Sequence, residues 1–339
     1  MTSPGVLIGV DVGGTSMSGG LVRADGSVLS AVQAPTHRDG PGTALDTLLD
    51  LIADVIARAA ELRVPIEGVG IGLPGVVDAE AGVMKRGVHL LPELTGIPLA
   101  ERVEGKTGIR TFVDNDVNAL ALGEWTWGVG RGARSLAMLA VGTGVGGAVI
   151  LDGRVVRGHS GYGGEFGHVP IKFDGKLCVC GARGCLCTYV CGSEIALDAR
   201  RRVHDEPGSI LLARSGRDPS TITTRLVFEA AAAGDALARS IVDEACQALA
   251  AGLAVIVNGL DPEVIVVTGG VAGSLLPLQG EILRRLREYA FAEAMAGTRI
   301  HFVAGDKCQT VRGGAALVLY ERARRAARRA ARRAARRAE

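Results

Sequence analysis

The chain has 339 residues, 47% of them hydrophobic, and 38 Lys and Arg against 36 Asp and Glu give it a net charge of +2. That length suits about two domains and a buried core, which excludes a disordered polymer and a disulfide-stapled mini-protein. No uninterrupted apolar run reaches the ~18 residues of a membrane span, and no basic segment followed by an apolar one opens the chain, so a cytoplasmic protein with no membrane partner is expected.

Residues 6–12 (VLIGVDV) are an apolar run closed by Gly13-Gly14, which predicts a buried strand. Residues 18–23 and 28–33, split by Asp25-Gly26, predict a hairpin. Residues 43–63 present Leu48, Leu51, Ile52 and Val55 at helical spacing. A strand over 66–75 runs into Leu73-Pro74-Gly75. A short strand follows at 111–113, then a helix over Val117–Trp127. Two strands at 135–144 and 146–153 are joined through glycine. Residues 192–203 and 226–258 read as helices, and Glu263–Thr268 as a strand ending in Gly269-Gly270. A helix near 275–294, a strand at Ile300–Val303 and a helix over 312–338 complete the chain.

The opening strand–glycine–hairpin unit reappears near 136–153. This weak duplication predicts two related α/β domains with a cleft between them. The expected small domain is 1–117 with a returning segment 301–320, and the large domain is 118–300. Residues 321–339 form an Arg/Ala-rich tail with nine Arg and two Glu, which leaves the body of the chain acidic, so nucleic acid is not an expected partner. The tail repeats Ala-Ala-Arg-Arg, and two readings stay open for it: a solvated extension of the last helix, or a dock for an anionic partner.

Glycine is abundant, 49 residues, but without a G-X-Y period, so the glycines belong in turns and close-approach loops. Asp11-Val12-Gly13-Gly14-Thr15 directly follows a strand. Such a loop offers backbone N–H groups to a phosphate, with Asp11 placed for hydrated Mg²⁺ and Thr15 for a phosphoryl oxygen. Read as structure alone, it is a hairpin turn. Gly142-Thr143-Gly144-Val145-Gly146-Gly147 is a second loop of this type. It is followed by a strand rather than a helix, so it is no dinucleotide fingerprint. With Thr268-Gly269-Gly270 there are three, and together they read as a nucleotide triphosphate cradle. Of seven cysteines, Cys178, Cys180, Cys185, Cys187 and Cys191 fall within fourteen residues, while Cys246 and Cys308 stand alone. An odd count in a cytoplasmic chain argues against a disulfide framework, and the clustering favours a metal.

The order DVGGT, LPG, DNDVNA, GTGVGG, EFGH, CxCGxxGC, TGG resembles the ROK family of sugar kinases over about residues 6–318. The resemblance implies two α/β domains of the actin/hexokinase-like ATPase fold and a homodimer or homotetramer. It also implies an ATP- and Mg²⁺-dependent transfer to a small-molecule sugar. Asp116 would be the catalytic base that accepts the hydroxyl proton, and Asn115 would hold a sugar hydroxyl. The other reading of Asn115-Asp116 is a helix cap, a task that Asp114 or Asn118 could also do. Pro74 and Gly75 would face the substrate with Glu165, which would accept from sugar hydroxyls. His168 would bind metal through one ring nitrogen and substrate through the other. His168, Cys178, Cys180 and Cys185 would form a closed, structural Zn²⁺ site.

Three stretches depart from the family pattern. Members usually carry Glu two residues after the last zinc cysteine, where it binds sugar; here it is Cys187, a poor acceptor. The stretch usually like N-L-P-G-W is Leu90-Leu91-Pro92-Glu93-Leu94, and the serine after the zinc loop is Cys191. Intact phosphate loops beside an altered pocket predict an acceptor less polar than glucose, such as a C7 cyclitol of the valiolone type, or else Cys187 entering the zinc site. An ordinary glucokinase is the alternative within the class. Outside it stand a sugar-sensing regulator, for which no preceding helix-turn-helix is expected, and a non-catalytic sugar-binding protein.

Overall fold

The protein is described by a computed structural model over residues 5–87, 91–305 and 307–338, with only the helical backbone given for Lys307 and 336–338. Leu90 of the Leu90–Leu94 stretch lies outside the described residues, as do residues 1–4, 306 and 339 of the expected domains. The chain divides into two compact units.

Unit 1 takes the described residues of Met1–Gly132, His159–Tyr162 and Asp306–Glu339. It begins with β1 (Val6–Val12), β2 (Ser16–Arg23), β3 (Val28–Pro35) and α1 (Ala44–Glu61). Then come β4 (Ile66–Leu73), a ribbon of β5 (Val76–Asp78) and β6 (Val83–Arg86), α2 (Leu99–Thr107), β7 (Thr111–Asn115) and α3 (Asp116–Trp127). The main sheet runs β3-β2-β1-β4-β7, with β1 antiparallel to β2 and parallel to β4, and β4 parallel to β7. Ile8, Val10 and Val12 alternate with Gly9 and Asp11 and are fully buried, as are Ile71 and Leu73. Each such side chain contributes about 1.5–3 kcal/mol. The expected apolar stripe of α1, with Leu48, Leu51, Ile52 and Val55, faces that layer.

Unit 2 takes Ala133–Gly158 and Gly163–Gly305. It contains β8 (Leu136–Val141), β9 (Val145–Leu151), β10 (Arg154–Val155), α4 (Cys187–Val190), α5 (Gly192–Arg202), α6 (Ile210–Arg214), α7 (Thr224–Ala232) and α8 (Ala236–Leu260). It continues with β11 (Val264–Thr268), α9 (Ala272–Leu275), α10 (Gln279–Leu286), α11 (Ala292–Gly297) and β12 (Arg299–Phe302). Its sheet runs β10-β9-β8-β11-β12. Here too the first strand is antiparallel to the second and parallel to the next strand inward. The duplication seen in the sequence is thus a duplication of sheet order. By length and composition α8 would suffice to cross a membrane. It is instead the core helix of unit 2, with Leu249, Leu253, Ile256 and Val257 fully buried.

The chain returns to unit 1 through α12 (Lys307–Ala338), which lies against β1, β4 and α3. Glycine permits that approach. A Cβ on Gly9 would sit 1.8 Å from the Val311 carbonyl oxygen, one on Gly70 would sit 1.9 Å from that of Gly314, and one on Gly123 would sit 3.1 Å from Gly313.

Several sequence expectations are corrected. The small domain does not stop at 117: α3 packs on α12, so unit 1 runs to Gly132. Residues 301–305 stay with unit 2, because β12 pairs with β11. The predicted helix 226–258 is two helices, broken where Gly234 adopts φ +98° and Asp235 caps α8 by accepting from the Ala238 N–H. The predicted helix 275–294 is interrupted after Leu275 by a 3-10 turn holding Pro277, and again between α10 and α11. The tail at 321–339 is no separate element over its described residues but the end of α12. Arg322 pairs with Glu67, Arg324 and Arg328 reach Glu80 at 2.5 and 2.8 Å, and Arg325 lies 5.0 Å over the Phe112 ring.

Candidate active site and metal centre

In unit 1 the residues singled out by sequence collect at the carboxyl ends of parallel strands. In register, Asp11 of β1 faces Gly72 of β4, and Gly72 faces Asp114 of β7. At about 4.8 Å per strand step, Asp11 lies roughly 10 Å across the sheet from the β7 end. Such strand ends are where open α/β sheets bind ligands.

The Asn115-Asp116 pair sits where β7 turns into α3. Asn115 itself is the helix cap: its Oδ1 accepts from the Val117 and Asn118 N–H groups at 2.9 and 3.1 Å. Its amide donates to the Gly75 carbonyl at 3.1 Å, which ties the Pro74-Gly75 turn to the start of α3. Capping therefore falls neither to Asp114 nor to Asn118. Buried Asp114 instead accepts from the Asn115 N–H and the Asn118 side-chain amide. One amide N–H of Asn115 is left for a ligand. Asp116 is the first residue of α3 and accepts from the Val117 N–H at 2.9 Å, at the positive end of the helix dipole. Gly72 makes room for it, since a Cβ there would come within 3.1 Å of the Asp116 Cα. Gly75 adopts φ +94°, and a Cβ there would strike the Arg86 carbonyl.

The loop Gly13-Gly14-Thr15 is a tight turn in which the Gly13 N–H donates to the Ser16 carbonyl at 3.0 Å. The Thr36 hydroxyl donates to the Gly13 carbonyl at 2.6 Å, and Thr15 is exposed. Asp11 is half-buried beneath it. A carboxylate oxygen in this position suits a hard cation such as Mg²⁺.

In unit 2 the same topology sets two glycine loops side by side at the ends of β8 and β11. The Gly142 N–H donates to the Gly144 carbonyl at 2.8 Å. Gly269 adopts φ +99° against Val141, whose carbonyl also accepts from the Val271 N–H. A Cβ on Gly142, Gly144 or Gly270 would meet nothing within 4 Å. Protein packing does not demand glycine there, whereas close approach of a phosphate would. Gly192 donates from its N–H to the Gly142 carbonyl at 2.8 Å, and the Ser193 hydroxyl donates to that of Thr143 at 2.7 Å. Thr36, Gly192 and Ser193 hold these loops, and the sequence carried no signal for them because each contact joins distant segments.

Glu165-Phe166-Gly167-His168 is pinned to β9, since Cβ atoms on Gly147 and Gly167 would lie 2.1 Å from the Gly164 and Val145 carbonyls respectively. Burial pushes the Glu165 carboxyl above its ordinary value, against the opposing pull of His168. His168 enters the metal cluster: the ligand atoms of His168, Cys178, Cys180 and Cys185 all lie within 4.8 Å of one another. The His168 Nδ1 is 3.5 Å from the Cys178 Sγ, and the Cys180 and Cys185 Sγ atoms are 3.7 Å apart. These are near the ~3.8 Å edges of a tetrahedron with ~2.3 Å metal–sulfur bonds. Three soft thiols and an imidazole in that arrangement fit Zn²⁺. Burial first, and then the neighbouring Cys180 and Cys178, raise the Cys185 thiol to about 12, a cost that a bound cation would reverse.

The loop backbone is shaped for this cluster. The Gly181 N–H closes a turn onto the Cys178 carbonyl at 2.9 Å, with Gly181 at φ +94°. A Cβ on Gly184 would lie 1.7 Å from the Lys172 carbonyl. Leu186 is fully buried against Gly252 of α8 and anchors the chain between Cys185 and Cys187. From Cys187, α4 leads straight to Gly192 and Ser193. The metal cluster and the Gly142 loop are thus joined by one short helix.

The ROK family model matches residues 7–321. The chain belongs to the ROK family. It is 35% identical over 288 residues to a glucokinase of Thermotoga maritima, covering 82% of this chain and 87% of that one. Among solved structures, a ROK family glucokinase from Streptomyces griseus in complex with glucose and AMPPNP matches with a TM-score of 0.71 and 32% identity, over 92% of this chain and 99% of that chain. A ROK family transcriptional regulator, a homologue of the E. coli MLC protein, matches with a TM-score of 0.80 and 26% identity, over 94% and 79% of the two chains. The family's fold thus hosts both catalysts and regulators, and function has to be argued from the site. At the position where ROK kinases usually carry Glu, the buried Cys187 thiol lies 3.4 Å from the Cys178 Sγ and 3.9 Å from the His168 Nδ1. Cys191 stands apart from the cluster, with its Sγ 3.2 Å from the Ser193 Oγ.

Proposed function

We propose that this ROK protein is a cytoplasmic kinase dependent on ATP and Mg²⁺, which transfers the γ-phosphoryl group to a primary hydroxyl of a hexose-like ring. The observation that carries this reading is Asp116, a carboxylate at the start of α3, two residues beyond Asp114, which shares a strand-end row with Asp11. Asp116 takes the hydroxyl proton as the acceptor oxygen bonds to the γ-phosphorus and the bridging bond to ADP breaks. Asp11 holds hydrated Mg²⁺, which supplies neutralising charge for the phosphates. Gly13, Gly14 and Thr15, with Gly142, Thr143, Gly144, Gly269 and Gly270, donate to phosphate oxygens. Pro74, Gly75, the free amide N–H of Asn115, the Glu165 carboxylate and the second ring nitrogen of His168 orient the acceptor. Zn²⁺ on His168, Cys178, Cys180 and Cys185 braces the Glu165 turn and, through α4, the Gly142 loop. A homodimer or tetramer goes with this reading, and sedimentation tests it.

The test is ADP release over a panel of glucose, N-acetylmannosamine, fructose and C7 cyclitol ketones, with Asp116→Asn as the blank. Turnover on at least one acceptor that falls in the variant supports a kinase. Sugar binding without turnover on any of them favours a sensor or binding protein.

Within the kinase reading, Cys187 favours a finer one. With a thiol turned toward the metal ligands, the position usually filled by Glu offers no carboxylate to a hemiacetal hydroxyl. A C7 cyclitol of the valiolone type lacks that demand. If the wild type is already a fast glucokinase, and Cys187→Glu brings no gain on glucose, the cyclitol reading fails and an ordinary glucokinase stands.

A further inference from the structure

A fifth donor stands beside the four-residue cluster: Cys187 is outside the set whose ligand atoms all lie within 4.8 Å of one another, yet it touches two of its members. The Cys187 Sγ, His168 Nδ1 and Cys178 Sγ form a triangle with sides of 3.4, 3.5 and 3.9 Å. Cys187 caps the His168–Cys178 edge, while Cys180 and Cys185 pair with each other at 3.7 Å. The thiol is only 8% exposed and sits on the first residue of α4, directly after the anchored Leu186. A sulfur on that edge is adjacent to both of the ligands it could replace.

We propose that Cys187 is a resident substitute ligand of the metal centre, taking the coordination position of His168 when the imidazole leaves it. This rests on the Zn²⁺ reading above. The exchange is balanced within the site: the bond from the metal to the His168 Nδ1 breaks, the bond to the Cys187 Sγ forms, and the thiol proton passes to the released imidazole. The set changes from three thiolates and one imidazole to four thiolates, both closed tetrahedral sets for zinc. His168 can then turn toward the acceptor without the cysteine loop losing its metal. Glu at this position could not do the same as well, since a carboxylate is a harder donor than a thiolate.

The experiment reads the metal itself, on the full chain loaded with Co²⁺, by metal content and by the sulfur-to-cobalt charge-transfer absorption, which grows with the number of thiolates. Wild type and Cys187→Ser should each hold one metal with the same three-thiolate intensity. His168→Ala should keep one metal, with the intensity raised by about a third. His168→Ala/Cys187→Ser should fall back to three thiolates and hold its metal at least tenfold more weakly than His168→Ala. If His168→Ala loses the metal, or keeps it with a spectrum and affinity equal to those of the double variant, the substitute role is wrong. If wild type binds no Co²⁺ or Zn²⁺, the metal reading itself fails and this inference with it. Should His168→Ala not fold, Cys178→Ser carries the test. It should retain a three-thiolate spectrum that Cys178→Ser/Cys187→Ser loses, whereas Cys180→Ser, on the opposite edge, should show two thiolates. A Cys178→Ser spectrum with two thiolates overturns the proposal.

Discussion

Both units end their first strand in a glycine loop, yet the glycines are there for different reasons. In unit 1 the Gly13 turn is closed by the protein, with its carbonyl held by Thr36 and the space for a Cβ taken by the Ser16 carbonyl at 2.8 Å. In unit 2 the carbonyls of Gly142 and Thr143 are held from outside by Gly192 and Ser193, and the space above Gly142 and Gly144 is open. One loop needs glycine in order to fold. The other folds without that need, and the space above it is open. A duplicated strand–glycine pattern therefore carries two kinds of information that composition cannot separate.

The largest test of this division of labour is Asp116→Asn. Removing the proposed proton acceptor from unit 1 should lower kcat by about 10²–10⁴-fold while nucleotide affinity stays within a few-fold, read by ADP release and nucleotide titration. The paired alanine variants sharpen the contrast directly. Gly142→Ala should leave the unfolding free energy within about 0.5 kcal/mol of wild type yet raise KM for ATP about tenfold. Gly13→Ala should cost about 1–3 kcal/mol in denaturant unfolding. An ATP effect at Gly142 no larger than a stability loss at the same site would erase the distinction.

Glu165 gives a smaller effect with a definite sign. Its folded carboxyl binds a proton more tightly than the ordinary value of 4.5, because burial disfavours the charge. Stability is therefore lost as pH rises from about 4.5 through the raised value. Without ligand, Glu165→Gln should be the more stable protein at neutral pH, and its advantage in melting temperature should close below pH 4.5. An advantage that grew in acid would have the wrong sign. Smallest of all is Glu80→Ala. Burial would raise the Glu80 carboxyl, but Arg324 and Arg328 hold it below its ordinary value. As a surface cluster it should be worth less than about 1 kcal/mol and fade in high salt.

The strands and loops of both units were legible because their signals are local: an apolar run, then glycine. The break between α7 and α8 was also written locally, in Gly234-Asp235, but the apolar periodicity on either side masked it. Other features were beyond any local reading. Unit 1 extends through α3 because Gly123 meets Gly313, 190 positions away in the chain. The sequence placed Asn115 and Asp116 at a helix start, but only hydrogen-bond geometry assigns the cap to Asn115 and leaves Asp116 at the head of the helix. Spacing likewise identified the cysteine cluster, but the direction of Cys187 depends on how Leu186 docks against α8.

The route of α12 has a consequence for synthesis. Unit 1 is discontinuous: its sheet comes from the first part of the chain, but Val311, Ala315 and Val318, which cover that sheet, belong to the last helix. Apart from residues 159–162, the chain between is unit 2, which can complete its own core as soon as β12 emerges. On the ribosome the early strands must therefore wait, with Gly9 and Gly70 uncovered, until residues near 318 have cleared the exit tunnel. The half of the protein made first is the half that finishes folding last.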